Sequence, residues 1–217
     1  MMKLESIFKF WSVGQGGFYT GRFKLKEKYS FNIVFDCGTN STEKYLNNSI
    51  ASYKNDINDE VIDILFLSHL HKDHVSGLPK LLKDKECKYV VMPYFTKVER
   101  LYFGLCYLRD NASEVLDDDY LKFLQDPVVF ISEKSLNVEN IIFIKGNSNK
   151  ELNESKDIED SESDFKIENN LDDAGEKFES FGNSKINVSF KKGGGSLVLQ
   201  KKWEFKILHV EYNQKIL

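Results

Sequence analysis

No stretch of the sequence approaches the roughly 20 consecutive apolar residues that a membrane-spanning helix needs. The opening, MMKLESIFKF, sets Glu5 among alternating apolar residues where a secretory signal would be continuously apolar. With neither a membrane span nor a leader to read, the cytoplasm is the expected compartment and no membrane partner is expected. Cysteine is scarce: Cys37, Cys87 and Cys106 are odd in number, far apart and without a Cys-x-x-Cys pair. That excludes a disulfide framework and a thiolate zinc site and leaves buried free thiols as the expectation. There is no internal repeat. Histidine is nearly as rare, with 4 in 217 residues, yet three of them fall within six positions in FLSHLHKDHVSGL, residues 66–78.

The length and the 41% hydrophobic content suit one globular domain with a real core. The formal charge of −4 is unevenly spread. Residues 151–180 carry 12 acidic side chains against 3 lysines, a net of −9, so the rest of the chain holds −4 + 9 = +5. A mildly basic body is compatible with an anionic substrate, although a charge of this size is common in proteins that never touch nucleic acid.

Short apolar runs separated by turn chemistry occupy residues 3–93. SIFKFWSV and GFYTGRFKL alternate as half-buried strands do, with GQGG breaking the pattern between them, and FNIVFDCGT reads as a buried strand entering a polar turn. EKYLNNSIASYKND has Tyr45, Leu46, Ile50 and Tyr53 at helical spacing, VIDILFLSH is a strand apolar on both faces, SGLPKLLKD a short helix and KYVVMPY a further strand. This rhythm is that of an α/β layer. Residues 96–126 read as helical, with VERLYFGLCYL and YLKFLQ as stripes expected to pack in the core, and NIIFIKG is another strand. About 147–183 the chain turns rich in Glu, Asp, Ser and Asn and poor in large apolar residues; a mobile acidic surface insertion is expected there, a solvated loop or a partner-binding segment. KINVSFKK, GGSLVLQ and KWEFKILHVEY close the chain as strands, the first two expected to form an antiparallel meander across a Gly-rich turn.

The histidine cluster carries the chemistry. In an extended backbone His69, His71 and Asp73 project to one side as the chain leaves its buried strand. A turn then has to follow, and it can swing His74 back beside them. Imidazole nitrogens and a carboxylate oxygen are the donors that zinc and similar divalent ions accept at about 2.0 to 2.2 Å. A solvated loop with histidines close by accident is the plain alternative, but without a metal the cluster would press basic groups and an acid together with no evident partner. Four ligands on different sides of a turn suit two ions about 3.5 to 4 Å apart with an activated water between them.

The stretch resembles the His-x-His-x-Asp-His signature of the metallo-β-lactamase fold superfamily. VFDCGT, with Asp36 upstream, is similar to the superfamily's strand-to-turn acidic motif. SVGQGGFYTG, SHLHKDHVSGLPKLL and GGGSLVLQ are similar to the hydrolase domain of DNA-uptake competence proteins. The resemblance covers residues 5–93 well and 185–208 weakly. It implies an αβ/βα sandwich filling residues 1–217 as a single domain, with two metal ions at one edge, Zn2+ first with Mn2+ or Fe2+ as alternatives. By position, His69 and His71 would hold one ion and Asp73 with His74 the other, Asp73 also orienting the water. Asp36 would orient a ligand by hydrogen bonding; the alternative is a turn-capping Asp. The Gln15 loop would lie near the site, as a phosphate cradle or simply as a tight turn.

The superfamily usually adds a bridging aspartate from a Gly-Asp turn and a further histidine, and this sequence contains no Gly-Asp dipeptide. His209 or Glu211 would stand in, or the chain is part of a longer or split protein whose fold is incomplete at the C-terminus, or the site is degenerate. The split or partial chain is the expectation, and His209 reads more readily as a core residue of a strand than as a ligand. The function these features imply is a metal-dependent hydrolase, with a phosphodiester of nucleic acid or a nucleotide as substrate. The alternative is a catalytically incomplete metal-binding subunit that contacts a partner protein through the acidic insertion, as one component of a multi-protein bacterial system.

Overall fold

The computed structural model of the chain describes residues 4–25, 29–112, 117–134, 136–146, 167–169, 173, 185–192, 196–199 and 203–206. Strands β1 (Leu4–Phe10), β2 (Phe18–Leu25) and β3 (Tyr29–Cys37) form an antiparallel meander. Helix α1 (Glu43–Ile57) then crosses to β4 (Ile62–Phe66), which runs parallel to β3. Two short helices, α2 (Lys72–Val75) and α3 (Leu78–Leu82), lead to β5 (Cys87–Pro93). Helices α4 (Lys97–Asp110), α5 (Asp118–Gln125) and α6 (Pro127–Glu133) precede β6 (Val138–Lys145). Beyond them lie β7 (Ile167–Asn169), β8 (Asn187–Lys192), β9 (Ser196–Leu199) and β10 (Trp203–Lys206).

Seven strands make one mixed sheet in the order β1-β2-β3-β4-β5-β6-β8, and β10-β9-β7 make a smaller antiparallel one. This is the α/β architecture expected. β4 is central and all five of its residues are buried, as its unbroken apolar run requires of a strand covered on both faces. One face, with Val34, Leu65, Val90 and Ile141, packs under Leu46, Ile50 and Tyr53 of α1, Leu81 of α3 and Phe123 of α5. Phe23, Phe31, Ile64, Phe66 and Ile142 are buried on the other. Of the four residues expected to face inward on α1, Tyr45 is exposed instead.

Two expectations are corrected. The stripe on α4 meets the core only in part: Phe103 and Tyr107 pack against it, while Val98, Leu101, Tyr102 and Leu105 are exposed and Arg100 and Gly104 are buried. The Arg100 guanidinium donates at 2.8 Å to the carbonyl of Leu124, in the last turn of α5 where the helix end leaves carbonyls unpaired, and at 2.5 Å to that of Phe95 ahead of α4. Gly104 faces α5, where an added Cβ would meet Leu121 and Leu124 at 3.9 Å, an ordinary contact. Of the meander expected of the closing strands, β9 and β10 pair antiparallel but β8 does not join them. β8 adds parallel to β6, whereas β9 belongs to the other sheet. A Gly-rich junction permits a hairpin, but β6 offers an apolar edge through Phe143 that stacks on Phe190 of β8.

Of the acidic stretch 147–183, the described residues are β7, which pairs with β9, and Asp173, which bridges to Lys191. The remainder, and His209 and Glu211, lie outside the described residues. Among the described residues no helix is long and apolar enough to cross a membrane.

Candidate metal centre

The chain leaves β4 at Phe66 with three apolar side chains turned inward: Leu67, Leu70 and Val75 are all buried. These anchors leave the residues between them at the surface. Ser68 and His71 are exposed, and His69, Asp73 and His74 are half-buried. The extended alternation expected of the segment ends at His71, which precedes the single helical turn of α2. Asp73 and His74 therefore stand side by side at the start of a helix rather than on opposite faces of a strand.

This turn brings together His69, Asp73 and His74, whose ligand atoms lie within 4.8 Å of one another. The rings of His69 and His74 have centroids 3.8 Å apart, and His74 Nε2 is 3.6 Å from Asp73 Oδ2. His71 stands beside the group rather than in it. Its ring meets His69 edge-on at 4.8 Å and Phe103 of α4 at 5.5 Å.

Asp36 ends β3 with φ at 57° and its side chain buried. That left-handed backbone is tolerated by Asp better than by most residues, and it aims the carboxylate across at the end of β4. Oδ1 accepts from the Ser68 backbone N–H at 2.8 Å, and Oδ2 from the Ser68 hydroxyl at 2.7 Å. His74 Nδ1 is 2.8 Å from Oδ2. With that nitrogen carrying the proton, Nε2 is left with a free lone pair toward His69 and Asp73, the tautomer a metal needs. Asp36 is thus in contact with a cluster member rather than being only a turn cap.

Ser68 was not foreseen, although a hydroxyl residue immediately before the first histidine was a cue. Its Oγ is also 2.9 Å from His69 Nδ1, so one serine and one aspartate orient both rings. Burial, followed by the nearby His74 and His71 rings, holds the His69 pKa below its ordinary value. Neutral imidazole is the form that coordinates metal.

The Gly-Gln-Gly-Gly turn packs against the same helical turn. Gly17 N–H donates to the Asp73 carbonyl at 3.0 Å, Gly38 N–H to the Gly17 carbonyl at 2.9 Å, and Gln15 N–H to Ser41 Oγ at 2.8 Å. The Gln15 and Gly17 amides of the turn thus bond within the protein, which favours the tight turn over a phosphate cradle. The approach needs glycine. A Cβ on Gly38 would stand 2.6 Å from the backbone of Asp73 and His74, and one on Gly16 would stand 2.3 Å from the Gly38 carbonyl.

Two imidazoles and a carboxylate at this separation, with one ring already turned by a buried acid, are a donor set that fits a divalent cation. Residues 30–135 match the Metallo-beta-lactamase superfamily, and the seven-stranded sheet with helices is consistent with that fold. Among curated relatives, a ribonuclease Z of Metallosphaera sedula is 28% identical over 131 residues, 58% of this chain and 40% of that protein. A metallo-beta-lactamase fold-containing protein of Sulfurisphaera tokodaii is 34% identical over 91 residues, 42% of this chain and 33% of the relative. A ribonuclease Z of Agathobacter rectalis is 45% identical over 59 residues, 27% of this chain and 17% of the relative. The chain thus spans less than half the length of the relatives it matches.

Proposed function

We propose that this domain is a metal-dependent hydrolase that cleaves phosphodiester bonds of nucleic acid. The observation that carries the reading is the convergence of His69, Asp73 and His74 at the end of β4, with the Asp36 carboxylate on the far nitrogen of His74. A divalent ion bound there supplies a water acidified toward neutral pH as the nucleophile. The side chains do the rest. His69 and His74 present neutral nitrogens, Asp73 presents a carboxylate, and Asp36 and Ser68 hold the two rings in register. His71, exposed beside His69 and Phe103, is the candidate for a further ligand. Zinc is the first choice of metal for this N and O set, with manganese and iron as alternatives.

Nucleic acid as the substrate class is supported by the ribonuclease Z relatives and by the likeness of SVGQGGFYTG and SHLHKDHVSGLPKLL to the competence-type hydrolase domain. Purified protein is expected to carry about one to two equivalents of divalent metal and to cleave single-stranded RNA or DNA oligonucleotides and bis-p-nitrophenyl phosphate. His69→Ala and Asp73→Ala should abolish both metal and turnover. Turnover unchanged in either variant would remove the catalytic assignment. Among the described residues the potential ligand group holds three side chains, which keeps a second reading in view. Metal retained with no cleavage of any of these substrates would favour a metal-binding subunit whose acidic stretch contacts a partner protein.

A further inference from the structure

Lys72 lies between His71 and Asp73, and its side chain reaches α4 and α5 rather than the ligand group. Its Nζ sits 5.6 Å over the Tyr107 ring and 3.9 Å from Asp117 Oδ2. Both partners are fixed in turn. The Asp117 N–H donates to the Tyr107 hydroxyl at 2.9 Å, and Asp117 Oδ1 caps α5 by accepting from Tyr120 N–H at 3.1 Å. Tyr107 meets Tyr120 edge-on at 4.9 Å, and Tyr120 is buried. Behind the ligand group, then, stands a braced corner of α4 and α5 whose two free features, a ring face and one carboxylate oxygen, both receive Lys72.

We propose that Lys72, clasped by Tyr107 and Asp117, is a positioning residue that fastens the helical turn carrying Asp73 and His74 to α4 and α5, and so sets the spacing of the ligand group. The inference rests on the metal reading of that group. α2 is a four-residue helix, too short to hold its own shape by backbone bonds, so its orientation has to come from tethers. On one side these are the Gly17 N–H on the Asp73 carbonyl, the Asp36 carboxylate on His74 and the Cys37 carbonyl that accepts from Gly77 N–H, with Val75 buried beneath; on the other, Lys72 is the charged tether. A cation over an aromatic face with a carboxylate alongside gains from both, and the partial burial of all three groups limits screening.

Two measurements on the purified chain test this. Zinc affinity, by competition with a chromogenic chelator, should weaken about threefold to tenfold in Lys72→Met, follow the same direction in Asp117→Asn, and be restored in Lys72→Arg. Amide hydrogen exchange of residues 71–76 in chelator-treated protein should be faster in Lys72→Met, with β4 and α1 unchanged. Native exchange rates in Lys72→Met overturn the clamp whatever the zinc affinity does. Faster exchange with native zinc affinity overturns the positioning role, as does faster exchange that spreads through β4. A native chain that binds no zinc would end the metal reading and the positioning role with it, while the exchange measurement would still decide the tether.

Discussion

His74 is held at Nδ1 by Asp36 and presents Nε2 toward His69 and Asp73, which makes Asp36 the most informative single position. Asp36→Asn keeps a side chain that tolerates the left-handed backbone but removes the charge that selects the His74 tautomer. Metal affinity is expected to fall about tenfold to a hundredfold, the range for partners of a ligating histidine, with the fold retained by circular dichroism. Native affinity in that variant would reduce Asp36 to a turn residue. His69 gives a pH dependence whose sign follows from its lowered pKa. Because the folded value lies below the ordinary 6.5, the unfolded chain binds more protons in the interval between the two, and stability rises with pH there. Metal-free protein should therefore melt at progressively lower temperature as pH falls below about 6.5, and His69→Gln should flatten that slope.

The ligand turn is held by elements remote in sequence, and its glycines separate two kinds of damage. A Cβ on Gly38 meets backbone at 2.6 Å, which cannot yield without moving α2. Gly38→Ala should destabilise the domain by about 1 to 3 kcal/mol or more and lose metal. A Cβ on Gly17 meets the His74 ring and the Asp36 Cβ at 3.1 Å, where side chains can give by a few tenths of an ångström. Gly17→Ala should keep the melting temperature within a few degrees and weaken metal binding. Equal losses of stability in the two variants would contradict this division. The same dependence on remote packing explains α4. Its apolar spacing was legible, but which face turns inward was decided by the Arg100 guanidinium meeting carbonyls of α5. α6, too, was announced only by Asp126 and Pro127, a side-chain cap and a first-turn proline, beyond the stretch whose periodicity reads as helix.

At the scale of the molecule, the proposed metal would be linked to the fold, because β3, β4, α2 and the Gly-Gln-Gly-Gly turn meet at the candidate ligand group. A cation held only by the native arrangement stabilises it by mass action, about 2.7 kcal/mol at a hundred times the dissociation constant. Chelation by EDTA should lower the melting temperature by several degrees and restoring zinc should recover it, with His69→Ala insensitive to both. A melting temperature indifferent to EDTA would mean that the group is empty in solution.

What the sequence by itself determined is the donor chemistry and most of the element order. Those are local properties: a run of VIDILF suits a covered strand, α1 follows from spacing over fifteen residues, and His, His, Asp and His in six positions supply donor atoms suited to a metal without reference to anything distant. Only the tertiary structure decided which of the four share a site, that Ser68 and Asp36 orient two of the rings, that His71 turns toward Phe103, and that β8 lies against β6. Each of those depends on side chains tens of residues apart, Asp36 with Ser68 or Gly38 with Asp73. Their meeting is set by how the sheet twists and the helices pack, which no local period records.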